Sequence, residues 1–162
     1  MGDIFNARSI VSSGGLLIGA LGQLLIAVLP TTNKHGRLAG YYLTQAGSTG
    51  FMTILSLISS NTAGYTKKTT VAALYLIFYC AGNIIGPQVY LEKDAPQYLP
   101  ALEAGVVLWV FCAADLVFIF WWFRRQNKKK AAIRAMPGYT TIKDQEFLDL
   151  TDRENPEFVY RL

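Results

Sequence analysis

AGVVLWVFCAADLVFIFWWFRRQNKKK, residues 104–130, decides the fold. Its first 20 residues carry one charge, Asp115, and the next seven carry five. At 1.5 Å rise per residue, a helix of about 20 residues crosses the ~30 Å hydrocarbon core of a bilayer. The abrupt change from apolar to basic is what a helix leaving a membrane requires. Trp121, Trp122 and Phe123 stand at the border, where amphipathic rings sit at headgroup level.

Three further runs lie upstream. Residues 10–29, 38–60 and 69–91 are 20, 23 and 23 residues long and hold no charged side chain. The expected fold is therefore an all-α membrane protein with four transmembrane helices over 10–29, 38–60, 69–91 and 104–123. Residues 1–9 form a preceding loop and 124–162 a tail. Hydrophobic residues are 52% of the chain and charged residues 16%, against about 25% charged in soluble domains. The links are too small to supply a polar shell, which excludes four buried helices of a soluble core. The first run exceeds the roughly 7–15 apolar residues of a signal peptide, and its glycines suit a packed helix.

Basic residues set the expected orientation. With both termini on one side, that side carries 12 of the 15 Lys and Arg residues, and the opposite loops carry only Lys34, Arg37 and Lys93. The positive-inside rule then places both termini in the cytoplasm. The net charge of +4 is explained by topology, and no nucleic acid partner is implied. Arg124, Arg125 and Lys128–Lys130 fit either plain anchoring at the bilayer or contact with anionic lipid.

Catalytic and metal patterns are missing. The single histidine, His35, falls in a short loop, and Cys80 and Cys112 lie in spans three and four as small packing residues. No nucleophile triad, zinc motif or phosphate loop is present, so no enzyme, metal or cofactor is expected. Gly15 and Gly19 in span one form a small-xxx-small pair suited to close helix packing.

The candidate site comes from polar faces. On a uniform 100° per residue, Tyr42, Gln45, Thr49, Thr53, Ser56 and Ser60 share an arc of about 80° along span two. Such a stripe must face another helix or water; a cavity wall and interhelical hydrogen bonding are the two readings. Tyr75, Tyr79, Gly82, Asn83, Gly86 and Tyr90 share about 100° of span three. Gly86-Pro87 is expected to interrupt that helix and free a carbonyl near residue 83, so that Asn83, Pro87 and Gln88 present polar groups. Asp115, the one charge near mid-membrane, is expected to point into the bundle beside Gly105, Leu108 and Cys112. It serves either as a structural hydrogen-bonding group or in coupling.

Four segments then match a known pattern in order. They are Ser60-Asn61-Thr62-Ala63-Gly64-Tyr65-Thr66-Lys67-Lys68, Gly82-Asn83-Ile84-Ile85-Gly86-Pro87-Gln88, Asp94-Ala95-Pro96-Gln97-Tyr98 and Asp144-Gln145-Glu146-Phe147-Leu148-Asp149-Leu150-Thr151-Asp152. Together they resemble the fungal allantoate permease family, the anion:cation symporters of the major facilitator superfamily. The resemblance implies twelve spans in two six-helix halves, with the four here similar to helices nine to twelve. Asp3 and Arg8 resemble the cytoplasmic loop between helices eight and nine. Met1 stands where the family's chain is in mid-course, so the N-terminal helices are expected to be missing partners.

The resemblance implies uptake of small organic anions, such as allantoate and other carboxylates, by proton symport across the plasma membrane. It places span two against the central cavity, in agreement with the stripe. It makes span four peripheral, which weakens Asp115 as a proton carrier. The implied substrate-binding or cavity-lining residues are Tyr42, Gln45, Thr49, Thr53, Ser56, Tyr79, Asn83 and Gln88, with Asp115 for coupling. The competing expectations are a truncated, non-transporting fragment and a small four-span scaffold, which needs no continuous polar wall.

Overall fold

The computed structural model of the protein describes residues 7–141 and 148–162. Asp3 and the tail segment from Lys143 through Phe147 lie outside the described residues. Every regular element among those described is helical. The order is α1 (Arg8–Val28), α2 (Lys34–Thr44), a 3-10 turn (Gln45–Gly47), α3 (Ser48–Asn61), α4 (Tyr65–Gln88) and α5 (Leu99–Arg134), with a short 3-10 turn at Glu92–Asp94 before α5.

Three of these helices, α1, α4 and α5, are individually long and apolar enough to cross a membrane. The second apolar run, 38–60, is divided between α2 and α3. The backbone nevertheless stays right-handed helical through the junction, with Gln45 at φ −63°, ψ −25° and Ser48 at φ −59°, ψ −22°. Two threonines bracket the tight turn. Thr44 Oγ1 donates to the Tyr41 carbonyl at 2.6 Å, and Thr49 Oγ1 donates to the Ala46 carbonyl at 2.8 Å. Hydroxyls bonded three residues back compete with the α-helical ladder. Gly47 completes the arrangement, because a Cβ there would lie 2.5 Å from the Trp109 ring.

Boundaries shift for local reasons. His35 lies in the first turn of α2, where Asn33 caps the helix by accepting from the Gly36 N–H at 3.1 Å. α4 starts at Tyr65 because Gly64, at φ +88°, turns the chain just before it. α5 extends well past the apolar run. Gln126, Lys128–Lys130, Ala131 and Ala132 are good helix formers, and nothing stops the helix until Met136-Pro137-Gly138. α4 runs through Pro87 and ends at Gln88, so the interruption expected at Gly86-Pro87 falls at the helix terminus. A proline in the last turn removes one hydrogen bond where the ladder is finishing anyway.

α1 is the centre of the bundle. It packs along α5 on one side and along α2, the 3-10 turn and α3 on the other. Its small residues permit this. A Cβ on Gly22 would lie 2.6 Å from the Gly40 carbonyl, and one on Gly40 would lie 2.7 Å from the Gly22 carbonyl. Gly19 lies directly against the six-membered ring of Trp109. Close backbone approach is the main packing device between membrane helices, since lipid tails offset any hydrophobic drive. A buried cluster of Leu16, Leu57, Ala113 and Leu116, flanked by Ile54, Ile119 and Phe123, joins α1, α3 and α5. α4 stands apart. It packs mainly against α3, through Phe51 on Tyr79 and Tyr75 with ring centroids 5.3 and 6.1 Å apart, and none of its residues is buried.

Candidate functional site

The structure divides the polar stripe of the second apolar segment. Each 3-10 residue turns about 120° where an α-helical one turns about 100°, so three of them rotate α3 by about 60° relative to α2. In the half nearer Asn61, the stripe meets α1. Thr53 Oγ1 shares a short hydrogen bond with Ser12 Oγ, and Ser56 Oγ accepts from Arg8 Nη1 at 3.0 Å. Thr49 sits against Gly15. In the half nearer Lys34, Tyr42 and Gln45 are exposed, and Tyr42 leans edge-on against Tyr41 with centroids 6.2 Å apart.

The expected residues of the third apolar run lie on one exposed helix. Asn83 Nδ2 donates to the Tyr79 carbonyl at 2.8 Å, and Gln88 Nε2 donates to the Ile84 carbonyl at 3.2 Å. Each amide keeps an N–H and an oxygen for other partners. Tyr79 packs on Phe51, two residues along α3 from Thr49 and six from Gln45. This contact places Tyr79 on the α3 side of α4. Asn83 and Gln88 lie further along α4, on surface that none of the described helices covers.

Asp115 does not point into this bundle. It is exposed on α5, about 100° round from the buried Leu116, beside Leu108 and Phe111, which are also exposed. Cys112 shares that outward side, and Cys80 is exposed on α4, so neither cysteine packs among the described helices. Among the described residues no three His, Cys, Asp or Glu side chains gather as metal ligands would.

The tail forms another cluster, whose apolar residues Leu148, Leu150, Phe158 and Tyr160 mark it in the sequence as a segment that lies along the protein, without naming its partners. Residues 148–162 return beneath the end of the bundle that carries Arg8, Lys67 and Arg124–Arg134. The Asn127 amide exchanges two hydrogen bonds with the Tyr160 backbone, 2.8 Å each way. The Asn61 amide does the same for Arg161, at 2.8 and 2.7 Å. In extended backbone, successive residues present their N–H and C=O to opposite sides. α5 and α3 therefore grip neighbouring residues of one strand-like segment from either side. The Leu162 carbonyl then accepts from the Arg8 N–H at 2.9 Å, tying in α1. The Asp149 carboxylate accepts from the Tyr65 N–H at 2.7 Å, tying in α4.

The electrostatic centre of this clasp is Asp152. It pairs with Lys67 Nζ at 2.5 Å and accepts from the Tyr160 hydroxyl at 2.8 Å. Burial alone would raise its carboxyl; the hydrogen bonds from Lys67 and Tyr160, with the Lys67 charge, overcome burial and hold it below the ordinary carboxylate value. Lys130, buried on α5, donates to the Asp152 and Asn155 carbonyls and faces the rings of Tyr160 and Phe158 at 5.0 and 5.3 Å. Burial pushes its ammonium down, and the Asp152 charge opposes that. The Tyr160 hydroxyl is pushed far up, by burial and then by its bond to Asp152.

Comparison with known proteins supplies the relatives. The chain is 36% identical over 161 residues to an uncharacterized transporter of Schizosaccharomyces pombe, covering 94% of this chain and 31% of that protein. It is 41% identical over 133 residues to the allantoate permease of Saccharomyces cerevisiae, covering 82% of this chain and 24% of the permease. It is 34% identical to an MFS-type transporter of Penicillium expansum over 94% of this chain and 31% of that protein. No family model matches the chain, and no solved structure matches it. The chain spans roughly a quarter to a third of the length of these relatives. It is an all-α integral membrane protein whose homologues are MFS-type transporters.

Proposed function

We propose that this chain is the C-terminal third of a proton-coupled permease for small organic anions of the carboxylate type. The observation that carries the reading is the 41% identity with a protein named as an allantoate permease, over 82% of this chain. The uncovered surface agrees with it. Tyr42 on α2, Gln45 at the start of the 3-10 turn, and Asn83 and Gln88 on α4 are polar groups at membrane depth that no described helix shields. Exposed polar side chains there need a water-filled cavity or further helices, and a permease supplies both. None of the apolar runs 10–29, 38–60, 69–91 and 104–123 contains Lys or Arg, so an anion would meet neutral donors on this side and cations contributed by the rest of the permease.

In this reading α2, the 3-10 turn and α3 make one continuous span, both termini are cytoplasmic, and the host membrane is the plasma membrane. Labelling single cysteines introduced at Lys34 and Thr140 tests the orientation; modification of residue 140 by an impermeant reagent in intact cells would reject it. The chain on its own is expected to move nothing, because a cavity between two helical halves needs both halves. Purified and reconstituted in vesicles, it should give no saturable uptake of labelled allantoate. Saturable uptake by this polypeptide alone would overturn its assignment as one third of a permease.

A further inference from the structure

We propose that α5 carries a binding site for the headgroup phosphate of an anionic phospholipid, formed by Trp121, Arg124, Arg125 and Lys128. These residues lie at i, i+3, i+4 and i+7, within about 100° of one helix face. They line a concavity of about 270 Å³. Arg125 stands over the Trp121 ring, 5.5 Å from its centroid, an arrangement that orders the guanidinium before any ligand arrives. The opposite face of the same helix belongs to the tail. Phe123, Asn127 and Lys130 lie about 180–240° round from Trp121, where Tyr160 stacks on Phe123 at 4.8 Å and Asn127 and Lys130 hold the tail backbone.

The two faces treat their cations differently. Lys130 is buried and fully engaged. Arg124, Arg125 and Lys128 are exposed, and among the described residues no carboxylate pairs with them. Three uncompensated cations around one hollow need an anion, and charge-assisted contacts from guanidinium groups suit phosphate oxygens.

Position along α5 decides which phosphate. An apolar groove of about 170 Å³, lined by Phe118, Ile119, Trp122 and Phe123, lies on the adjoining face of the same helix end. Trp121, which lines the hollow, stands where the apolar run of α5 ends. An anion bound in the hollow therefore has hydrocarbon directly beneath it, where a phospholipid carries its acyl chains and free phosphate carries nothing. The site sits where α5 leaves its apolar run, at headgroup depth. The inference needs membrane insertion and is independent of any transport activity.

The test uses the full chain purified in detergent, with phosphatidylserine retention followed by native mass spectrometry. Each cation near an anionic surface contributes about five-fold. The triple variant Arg124→Gln, Arg125→Gln, Lys128→Gln should therefore lose on the order of 100-fold in apparent affinity. The control Lys68→Gln, Lys129→Gln, Arg153→Gln removes the same charge from exposed positions at the same end and should lose less than about five-fold. Equal losses in the two variants would reduce the effect to net charge and overturn the site. Displacement of the lipid by millimolar inorganic phosphate would overturn the phospholipid assignment, since the acyl chains would then contribute nothing. Thermal unfolding of both variants should match the parent chain.

Discussion

Asn127 and Tyr160, separated by 33 residues, act as a pair: one side-chain amide donates to and accepts from both backbone polar groups of the other residue, at 2.8 Å in each direction. The Asn61 amide repeats the arrangement on Arg161. Two amides from different helices thus fix a tail that has no regular secondary structure of its own, and the tail in turn ties the ends of α1, α3, α4 and α5.

Asn127→Ala removes one donor and one acceptor while leaving the Tyr160 N–H and carbonyl without their partner. Each such loss costs about 1–3 kcal/mol where the group stays buried and less where water reaches it. The tail is expected to open locally before the bundle does. Hydrogen exchange at residues 158–162 should accelerate by roughly ten-fold or more, with exchange in α1 unchanged. Unchanged exchange at Tyr160 would show that the stacking of Phe123 and Tyr160 holds the tail without the amide.

Acidification should release the same segment. The Asp152 carboxyl is held below its ordinary value of about 3.9 by Lys67 and Tyr160. A carboxylate depressed in the folded state contributes stability that is complete above its unfolded value and is lost as pH falls through the folded one. The clasp should therefore be closed throughout the neutral range and open only well below pH 4. Asp152→Asn should reproduce the open state at pH 7, read as protease cleavage within 148–162. Cleavage that rises between pH 7 and pH 5 in the parent chain would contradict the assignment to Asp152.

Gln45 and Asn83 should matter for substrate more than for folding. The Gln45 side-chain amide has no hydrogen-bond partner among the described residues, and the bond from Asn83 stays within its own helix. A hydrogen bond to a charged partner is worth roughly 1.5–3 kcal/mol, so either alanine variant should raise KM about 10- to 100-fold. The setting is a chimera in which this chain replaces the matching region of the S. cerevisiae allantoate permease. Thr53→Val is the counterpart: its bond to Ser12 holds α3 on α1, so abundance should fall and KM should not. Normal KM with reduced abundance in Gln45→Ala and Asn83→Ala would assign those amides to packing.

The sequence made the spans readable because hydrocarbon tolerates no alternative: long uncharged runs ending at Trp121-Trp122 and Arg124-Arg125 have one physical use. It also located the polar residues of the second run. It could not show that the run is two helices, since a uniform 100° per residue hides the extra rotation at Gln45–Gly47 that turns Thr53 and Ser56 to α1. Hydropathy ends the fourth apolar run at Phe123, while the helix continues to the stop at Met136-Pro137-Gly138, because the residues that lengthen it are good helix formers and polar at once. Asp115 faces away from the described helices for another reason. Which side of α5 is buried depends on the small residues of α1, Gly19 above all, and not on α5 itself. The tail clasp left no periodic signal, since Asn61 and Asn127 are single residues whose partners lie 100 and 33 positions away.

Proton-driven uptake by the chimera tests the central claim most directly. Purified and reconstituted in vesicles, it should concentrate labelled allantoate above the external level only while the inside is kept more alkaline than the outside. Collapsing the pH difference with a protonophore should return the substrate to equilibrium. The matching permease with the same region deleted should give no uptake. A chimera that inserts at normal abundance, carries the closed tail clasp and still moves no allantoate under an imposed gradient would contradict the account.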